Sequence, residues 1–492
     1  MTTEATPELP ELPPLDVRVL DGTVSVPPTV FDDPTLLPAG RATISALGHR
    51  VEGADLAAPP VVLPDFHHKS KMELPSSVAV ATHGTIRTEL TSSSVNCGMA
   101  LIAVDSEVPD DKAVDTFMRA VRERYPYPTR GTAELSRQEV VKAVGAGSEF
   151  SVDRWGAPAE DLERIEEGGR IDLERYGGLD RLRTELPGVA FQLARYRFGT
   201  IGPSNHFVEL QRVEEILDPE RAAKLGVSEG QLTIQYHGGG GVFTGEIGRL
   251  FFRRKDYPAQ IKAVNAALKP WFHLRSARSF KQLRARLGLY FTAGCTPLPL
   301  ASDEGQRLML ATAAAMNYGF AFRTATYAAL RRLAADSFGG ATGRLVVDSP
   351  HNSIYEEPVG DRTGVVHRHN SCRAFPASMM TPGTTFAETG QAVLLPGTHR
   401  TSSYLAVAGD RAATSLYSAC HGAGTVVSDL VARGVSGDDP LKRKTRRYRY
   451  DDGAPTDAHH FDDRGVNAAL DVLVRNGLVK PVARMRPIAV LH

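Results

Sequence analysis

Apolar residues recur along this chain at two spacings, and the alternation between them predicts a mixture of strands and helices. Residues 78–81 and 100–104 are short unbroken apolar runs of the kind found in buried strands, and they bracket the polar stretch Thr91-Ser92-Ser93-Ser94. Residues 232–236 alternate at period two and end at His237, which places that histidine at the top of a strand. Residues 111–124 and 136–144 carry helical spacing, and Gly145 and Gly147 are expected to stop the second helix. The strongest helix is expected over residues 305–335, with Ser302 and Asp303 as candidate N-caps and Gly339-Gly340 beyond its end. Residues 345–347, 364–366 and 392–395 read as short buried strands. Each runs into a polar turn: Pro350-His351-Asn352, His367-Arg368-His369-Asn370 and Pro396-Gly397-Thr398. Between residues 17 and 63 short apolar runs alternate with Pro and Gly, predicting short strands around turns. Residues 157–185 are charged and contain Gly168, Gly169, Gly177 and Gly178, so a surface helix-and-loop insertion is expected there.

No internal repeat and no linker divides the sequence. The acidic, proline-rich residues 1–14 read as a disordered tail, and residues 15–492 as one intertwined catalytic domain. The composition, 42% hydrophobic and 23% charged over 492 residues, is ordinary for a globular protein. Lys plus Arg equals Asp plus Glu at 57 each, so net charge does not point to nucleic acid, although local basic grooves remain open. Two basic stretches stand out: residues 441–450, which mix cations with aromatics, and Arg275, Arg278, Lys281, Arg284 and Arg286 on an expected helix. Either is a solvated face or a track for a phosphate backbone. Four cysteines are too few for a disulfide framework and fit a reducing compartment. No apolar run approaches the roughly 20 residues that span a bilayer, and no signal-peptide pattern opens the chain, so a cytoplasmic location without membrane contact is expected.

Candidate chemistry lies in the turns. Cys97 sits in Val95-Asn96-Cys97-Gly98, and His206, His237 and His351 follow or end strand-like runs. One thiolate and three imidazoles suit a transition metal such as Mn, Fe, Co or Zn. Each residue taken singly also fits a buried structural role, and convergence in space is what discriminates the two readings. His421 differs in kind, because Gly422 and Gly424 flank it with flexible backbone and free N–H groups that suit an anion. A neutral imidazole there can attack phosphorus and form a phosphoramidate; the plainer reading is a glycine-rich turn that contains a histidine. Pro396-Gly397-Thr398 with Ser402 and Ser403 offers hydroxyls and backbone donors to a base or phosphate.

Taken in order, these motifs resemble the RtcB family of RNA-splicing ligases. The resemblance rests on Pro64-Asp65-Phe66-His67, Val95-Asn96-Cys97-Gly98-Met99, Gly199-Thr200-Ile201-Gly202 with Asn205-His206-Phe207-Val208-Glu209, and His237-Gly238-Gly239. It continues through His351-Asn352, His367-Arg368, Arg373-Ala374-Phe375-Pro376, Pro396-Gly397-Thr398, Ser403-Tyr404, Cys420-His421-Gly422-Ala423-Gly424 and Arg486-Pro487-Ile488-Ala489-Val490. It implies one compact α+β domain of mixed sheets flanked by helices, working as a monomer, with an activating protein partner left open. It implies dependence on Mn2+ and GTP, with Cys97, His206, His237 and His351 as metal ligands and His421 as the nucleophile that becomes guanylylated. The nucleotide would be lined by Asn205, His206, Phe207, Val208, Glu209, His351, Asn352, Pro396, Gly397, Thr398, His399, Ser403, His421, Gly422, Ala423, Gly424 and His492. The implied substrates are an RNA 3′-phosphate, or a 2′,3′-cyclic phosphate opened to it, and a 5′-hydroxyl end.

The sequence departs from the family pattern at defined positions. Ser94 stands where the family has an aspartate that holds a second metal, so one tightly bound ion is expected. His369-Asn370 replaces Lys-Gly, Thr425 replaces an arginine, and His492 replaces the terminal lysine that contacts guanine. His68-Lys69-Ser70-Lys71-Met72-Glu73 replaces a glycine-rich run, and Lys69, Lys71 and Arg400 are the candidate compensating cations. These losses leave two alternatives beside the ligase: a nucleotidyl transferase acting on another phosphorylated acceptor, and a catalytically silent RNA- or nucleotide-binding protein.

Overall fold

Strand Gly98–Glu107 shows why the apolar runs are unbroken rather than alternating. Ala100, Ile102 and Val104 point into one core, and Met99, Leu101 and Ala103 into another. Successive side chains of a strand face opposite ways, so a sheet covered on both faces needs apolar residues at every position. The computed structural model describes residues 29–33, 55–67, 75–127, 133–202, 206–252, 268–291, 297–451 and 453–492. The tail expected over residues 1–14 and most of the strands expected between residues 17 and 63 lie outside these. From that region the structure shows Thr29–Val30 paired in parallel with Val61–His67.

The central sheet runs, from edge to edge, Ala392–Leu395, Ser403–Ala408, Val479–Leu491, Phe207–Ile216, Gln231–Gly238, Gly98–Glu107 and Gly343–Pro350. All these neighbours are antiparallel. Lys444–Tyr448 joins it in parallel with the last strand of the chain and pairs with Thr456–His459. A second sheet has the order Thr29–Val30, Val61–His67, Ser76–Thr82, Arg362–His369 and Asn352–Val359. The chain leaves the central sheet at Pro350 and enters the second at Asn352, so His351 alone makes the crossing.

Helix Asp303–Ser337 covers one face of the central sheet. The Ser302 hydroxyl caps it by accepting from the Gly305 N–H. Its 35 residues are buried on nearly every side, because helices Arg137–Ala146, Ser148–Trp155 and Gly241–Phe251 surround it. The mixed sheets and flanking helices agree with the expected α+β class. No helix among the described residues is long and apolar enough to cross a membrane.

Four local expectations need correction. Residues 157–185 are not a surface insertion: Asp161, Arg164, Ile165, Glu166, Leu173 and Tyr176 are buried, and these short turns pack on the long helix and on strand Gly343–Pro350. Their charges satisfy core partners, as where the Tyr327 hydroxyl donates to Asp161. Gly145 lies inside helix Arg137–Ala146, and Gly147 at φ +57° ends it. His367, Arg368 and His369 continue their strand, so the turn is Asn370 at φ +50°. Within residues 441–450, Lys444–Tyr448 is a strand of the central sheet rather than a free basic run.

Candidate metal and nucleotide site

Backbone register, not proximity in sequence, assembles the candidate ligands. Gly98 pairs with Gly238 on one side and with Pro350 on the other, and His237 pairs with both Met99 and Phe207. Cys97, His206, His237 and His351 therefore meet at one end of four adjacent strands. The His351 N–H donates to the Cys97 carbonyl at 2.8 Å, which locks two of the four positions together.

The Cys97 Sγ lies 3.3 Å from His237 Nε2 and 3.6 Å from His206 Nε2, and His237 Nε2 lies 3.0 Å from His351 Nε2. An ion held at about 2.0–2.3 Å by such donors spaces them roughly 3.3–3.8 Å apart in a tetrahedral shell. The two separations from the sulfur fall in that range, and the His237–His351 separation is shorter. The donors that lie mutually close enough for one ion are those of Cys97, His237 and His351, without His206. Cys97, His237 and His351 are buried and can hold one ion between them. Burial, reinforced by Arg197, pushes His206 down to about 4, so its imidazole is neutral at pH 7, as a ligand must be.

His421 arrives from the other direction. Strand Ser418–Cys420 pairs with Ser371–Arg373, and the Ser371 N–H donates to the His351 carbonyl at 3.0 Å. His421 follows directly, with its ring stacked on His351 at 3.7 Å and 22°, and 5.3 Å from the His237 ring. Thus the expected nucleophile lies against two of the expected ligands. The Ala423 N–H donates to the Pro396 carbonyl, which seats the Gly422-Ala423-Gly424 loop on the Pro396-Gly397 turn. Helix Gly424–Ala432 begins there.

Several residues that position this loop carried no assigned role in the sequence. Asp65, at φ +67°, caps helix Gly424–Ala432 from a distant strand: its Oδ1 accepts from the N–H groups of Thr425 at 2.7 Å and Val426 at 3.0 Å. Arg368 makes a bidentate pair with Glu357 at 2.7 and 2.9 Å and donates to Ser418 Oγ, so it holds the strand that carries His421 rather than facing a phosphate. Arg323 and Asp348 form a buried pair at 2.7 Å, and Arg323 also donates to the carbonyl and side chain of Asn96. Asn96 in turn donates to the Met316 carbonyl, and the tight Asn96-Cys97-Gly98 turn is fixed. A Cβ on Gly98 would fall 2.6 Å from the Ser349 carbonyl oxygen, so glycine is required there. The legible signal was a lone charge inside an apolar run, as Asp348 and Arg323 both are.

A cleft of about 200 Å³ opens beside the cluster and is lined by His206, Phe207, Glu209, Pro396, Gly397, Thr398, His399, Ser403, Val490 and His492. Nine of the seventeen residues in the expected nucleotide-lining set share this cavity, while His351, Asn352 and His421 to Gly424 are not on its wall. Its far end holds His399 and His492 with rings 5.1 Å apart. Burial and then His492 push His399 down to about 4, and burial with Arg447 and Arg449 lowers His492, so this end carries no imidazolium at neutral pH. Burial pushes Glu209 up to about 8 against the hydrogen bond from Gln211, which leaves its carboxyl largely protonated at pH 7. Val208 points the opposite way, into the core under the long helix. Asn352 uses its amide internally, donating to the Ser94 carbonyl and accepting from the Asn370 N–H. The Ser402 hydroxyl donates to Asp463, and Asn205 lies outside the described residues.

A second cleft, of about 330 Å³, is lined by Cys97 together with Ser94, Arg197, Thr200, His206 and Gly239 to Gly241. Ser94 thus faces open space beside the sulfur, and among the described residues the metal-binding cluster contains no carboxylate. Of the candidate compensating cations, only Arg400 lies among the described residues. Arg400 lies over the Phe461 ring and donates to the His459 carbonyl, while Lys69 and Lys71 fall outside the described residues.

Comparison with known proteins agrees with this geometry. A family model described as tRNA-splicing ligase RtcB matches residues 54–492. The chain is 30% identical over 419 residues to the tRNA-splicing ligase RtcB of Pyrococcus horikoshii, covering 80% of this chain and 44% of that protein. It is 28% identical to the RNA-splicing ligase RtcB of Mycobacterium tuberculosis, covering 80% of this chain and 87% of the relative. For the tRNA-splicing ligase RtcB of Thermococcus kodakarensis the identity is 28%, over 87% and 86% of the two chains. The chain thus spans less than half the length of the Pyrococcus relatives it matches. The match takes in every strand that brings a donor to the cluster, and on that ground the chain belongs to the RtcB family.

Proposed function

We propose that the protein is a GTP- and Mn2+-dependent RNA ligase that joins an RNA 3′-phosphate, or a 2′,3′-cyclic phosphate opened to it, to a 5′-hydroxyl through a guanylylated His421. The observation that carries this reading is the stacking of His421 on His351 beside a cysteine–histidine cluster, next to a cleft lined by His206, Phe207, Glu209 and the Pro396 turn. In the proposed sequence the neutral His421 imidazole attacks the α-phosphorus of GTP, and the bond to the β-phosphate oxygen breaks to release pyrophosphate. The RNA 3′-phosphate then takes the guanylyl group and frees His421, and the 5′-hydroxyl displaces GMP. Cys97, His206, His237 and His351 would hold the metal, which supplies charge neutralisation at the phosphates. The chain's own part is mostly placement: Asp65 and the Pro396 turn fix the His421 loop, and Arg323 fixes the Cys97 turn.

Covalent transfer of label from α-labelled GTP to the protein with Mn2+ is the test. We expect labelling in the wild type and its loss in His421→Ala. No labelling with any nucleotide or metal would overturn the reading in favour of a silent binding protein. The carboxylate missing at Ser94 favours a second reading, transfer of the guanylyl group to another phosphorylated acceptor. A labelled protein that fails to seal 3′-phosphate to 5′-hydroxyl RNA would select it.

A further inference from the structure

One strongly charged surface lies outside the two clefts. Residues 268–291 contain six cations and no acidic residue, in a chain whose total charge is zero. Arg286 is buried and paired with Glu304. Arg275, Arg278, Lys281 and Arg284 are exposed, and none of them pairs with a carboxylate among the described residues. Apolar rings share this surface. Helix Phe280–Phe291 turns Phe280, Arg284, Leu287 and Phe291 to solvent at i, i+4, i+7 and i+11, a single stripe, while Leu289 and Tyr290 face inward. Phe280 is 79% and Trp271 50% exposed, and Arg275 lies over the Trp271 ring at 4.5 Å.

Helix Gly241–Phe251 connects this face with the Cys97 cleft. Its first residue lines the cleft, and its last packs on Phe272, His273 and Tyr290 at 5.5–6.0 Å between ring centroids. Eleven residues of helix span about 16 Å, a distance of a few nucleotides of extended strand. We propose that this face binds the body of a single-stranded RNA whose terminal phosphate enters the Cys97 cleft. Unpaired arginines track the phosphates by counterion release, and exposed Trp271, Phe280 and Phe291 stack on bases of any sequence. The inference takes its ligand from the function proposed above.

Fluorescence anisotropy with a 3′-phosphorylated 20-nucleotide RNA, titrated across salt, tests it. We expect R278Q/K281Q/R284Q to weaken binding at least tenfold and to lower the log–log salt slope by about 2, since each neutralised single-strand phosphate contributes about 0.7. W271A/F280A should weaken binding with little change in slope, and GTP labelling of His421 should stay at the wild-type level in both variants. Unchanged affinity and slope in folded triple variant would overturn the proposal. So would loss of binding to phosphatidylserine vesicles with RNA binding intact, which would assign the face to a membrane. RNA binding that depends on this face in a protein that takes no label would uphold the surface while the ligase reading fails.

Discussion

Ser94 is the residue whose identity has the largest chemical consequence. A carboxylate there would add a hard oxygen donor beside the Cys97 sulfur, whereas a hydroxyl leaves a cluster of sulfur and nitrogen alone. Divalent ions that favour oxygen, Mn2+ among them, gain most from such a carboxylate. We expect the wild type to hold one tightly bound equivalent of metal and Ser94→Asp to hold two, measured by elemental analysis after gel filtration. Two equivalents in the wild type would contradict this account. The residue types of the cluster were legible in the sequence, as an isolated cysteine and histidines in turns. Their roles as a group were not, because nothing local distinguishes a converging imidazole from His367. That histidine sits on a strand with similar neighbours, yet it accepts from the Arg87 N–H and contacts the Val80 carbonyl in a purely structural setting.

At the scale of elements, strands and the long helix were legible because apolar runs and helical spacing are local properties. The cap of helix Gly424–Ala432 was not, since Asp65 lies some 360 positions away in sequence. Losing an N-cap acceptor costs about 1–2 kcal/mol, and asparagine caps nearly as well as aspartate. Asp65→Ala is therefore expected to lower stability by that amount in urea titration. It should reduce GTP labelling of His421 more than any loss of folded protein explains, because the loop before the helix loses its anchor. Asp65→Asn should restore most of both. Equal labelling in the alanine variant would show that the Pro396 turn alone suffices. The burial of the charged stretch 157–185 was illegible for a related reason: its Asp161, Arg164 and Glu166 have partners supplied by other elements, which composition does not reveal.

Across the whole molecule, buried neutral histidines predict sensitivity to acid. Burial pushes His367 down to about 4, while an unfolded histidine takes its proton near 6.5. Between those values the unfolded chain binds a proton that the native chain refuses. Stability is then full above about pH 6.5 and falls as pH drops toward 4, by about 3 kcal/mol for this residue alone. His399 and His460, also pushed to about 4 by burial, act in the same direction. The urea midpoint should decline steeply between pH 6.5 and 4.5, and His367→Gln, which keeps an acceptor for Arg87, should flatten the decline. A midpoint independent of pH there would refute it. Strand pairing fixes a different kind of tolerance. Because the donors stand at the ends of laddered strands, an exposed turn remote from them, such as Gly360-Asp361 between Asn352–Val359 and Arg362–His369, is free to lengthen without shifting any of them. Removing a single residue within Gln231–Gly238 would instead send His237 through to the opposite side of the sheet and abolish the ion's coordination at a stroke.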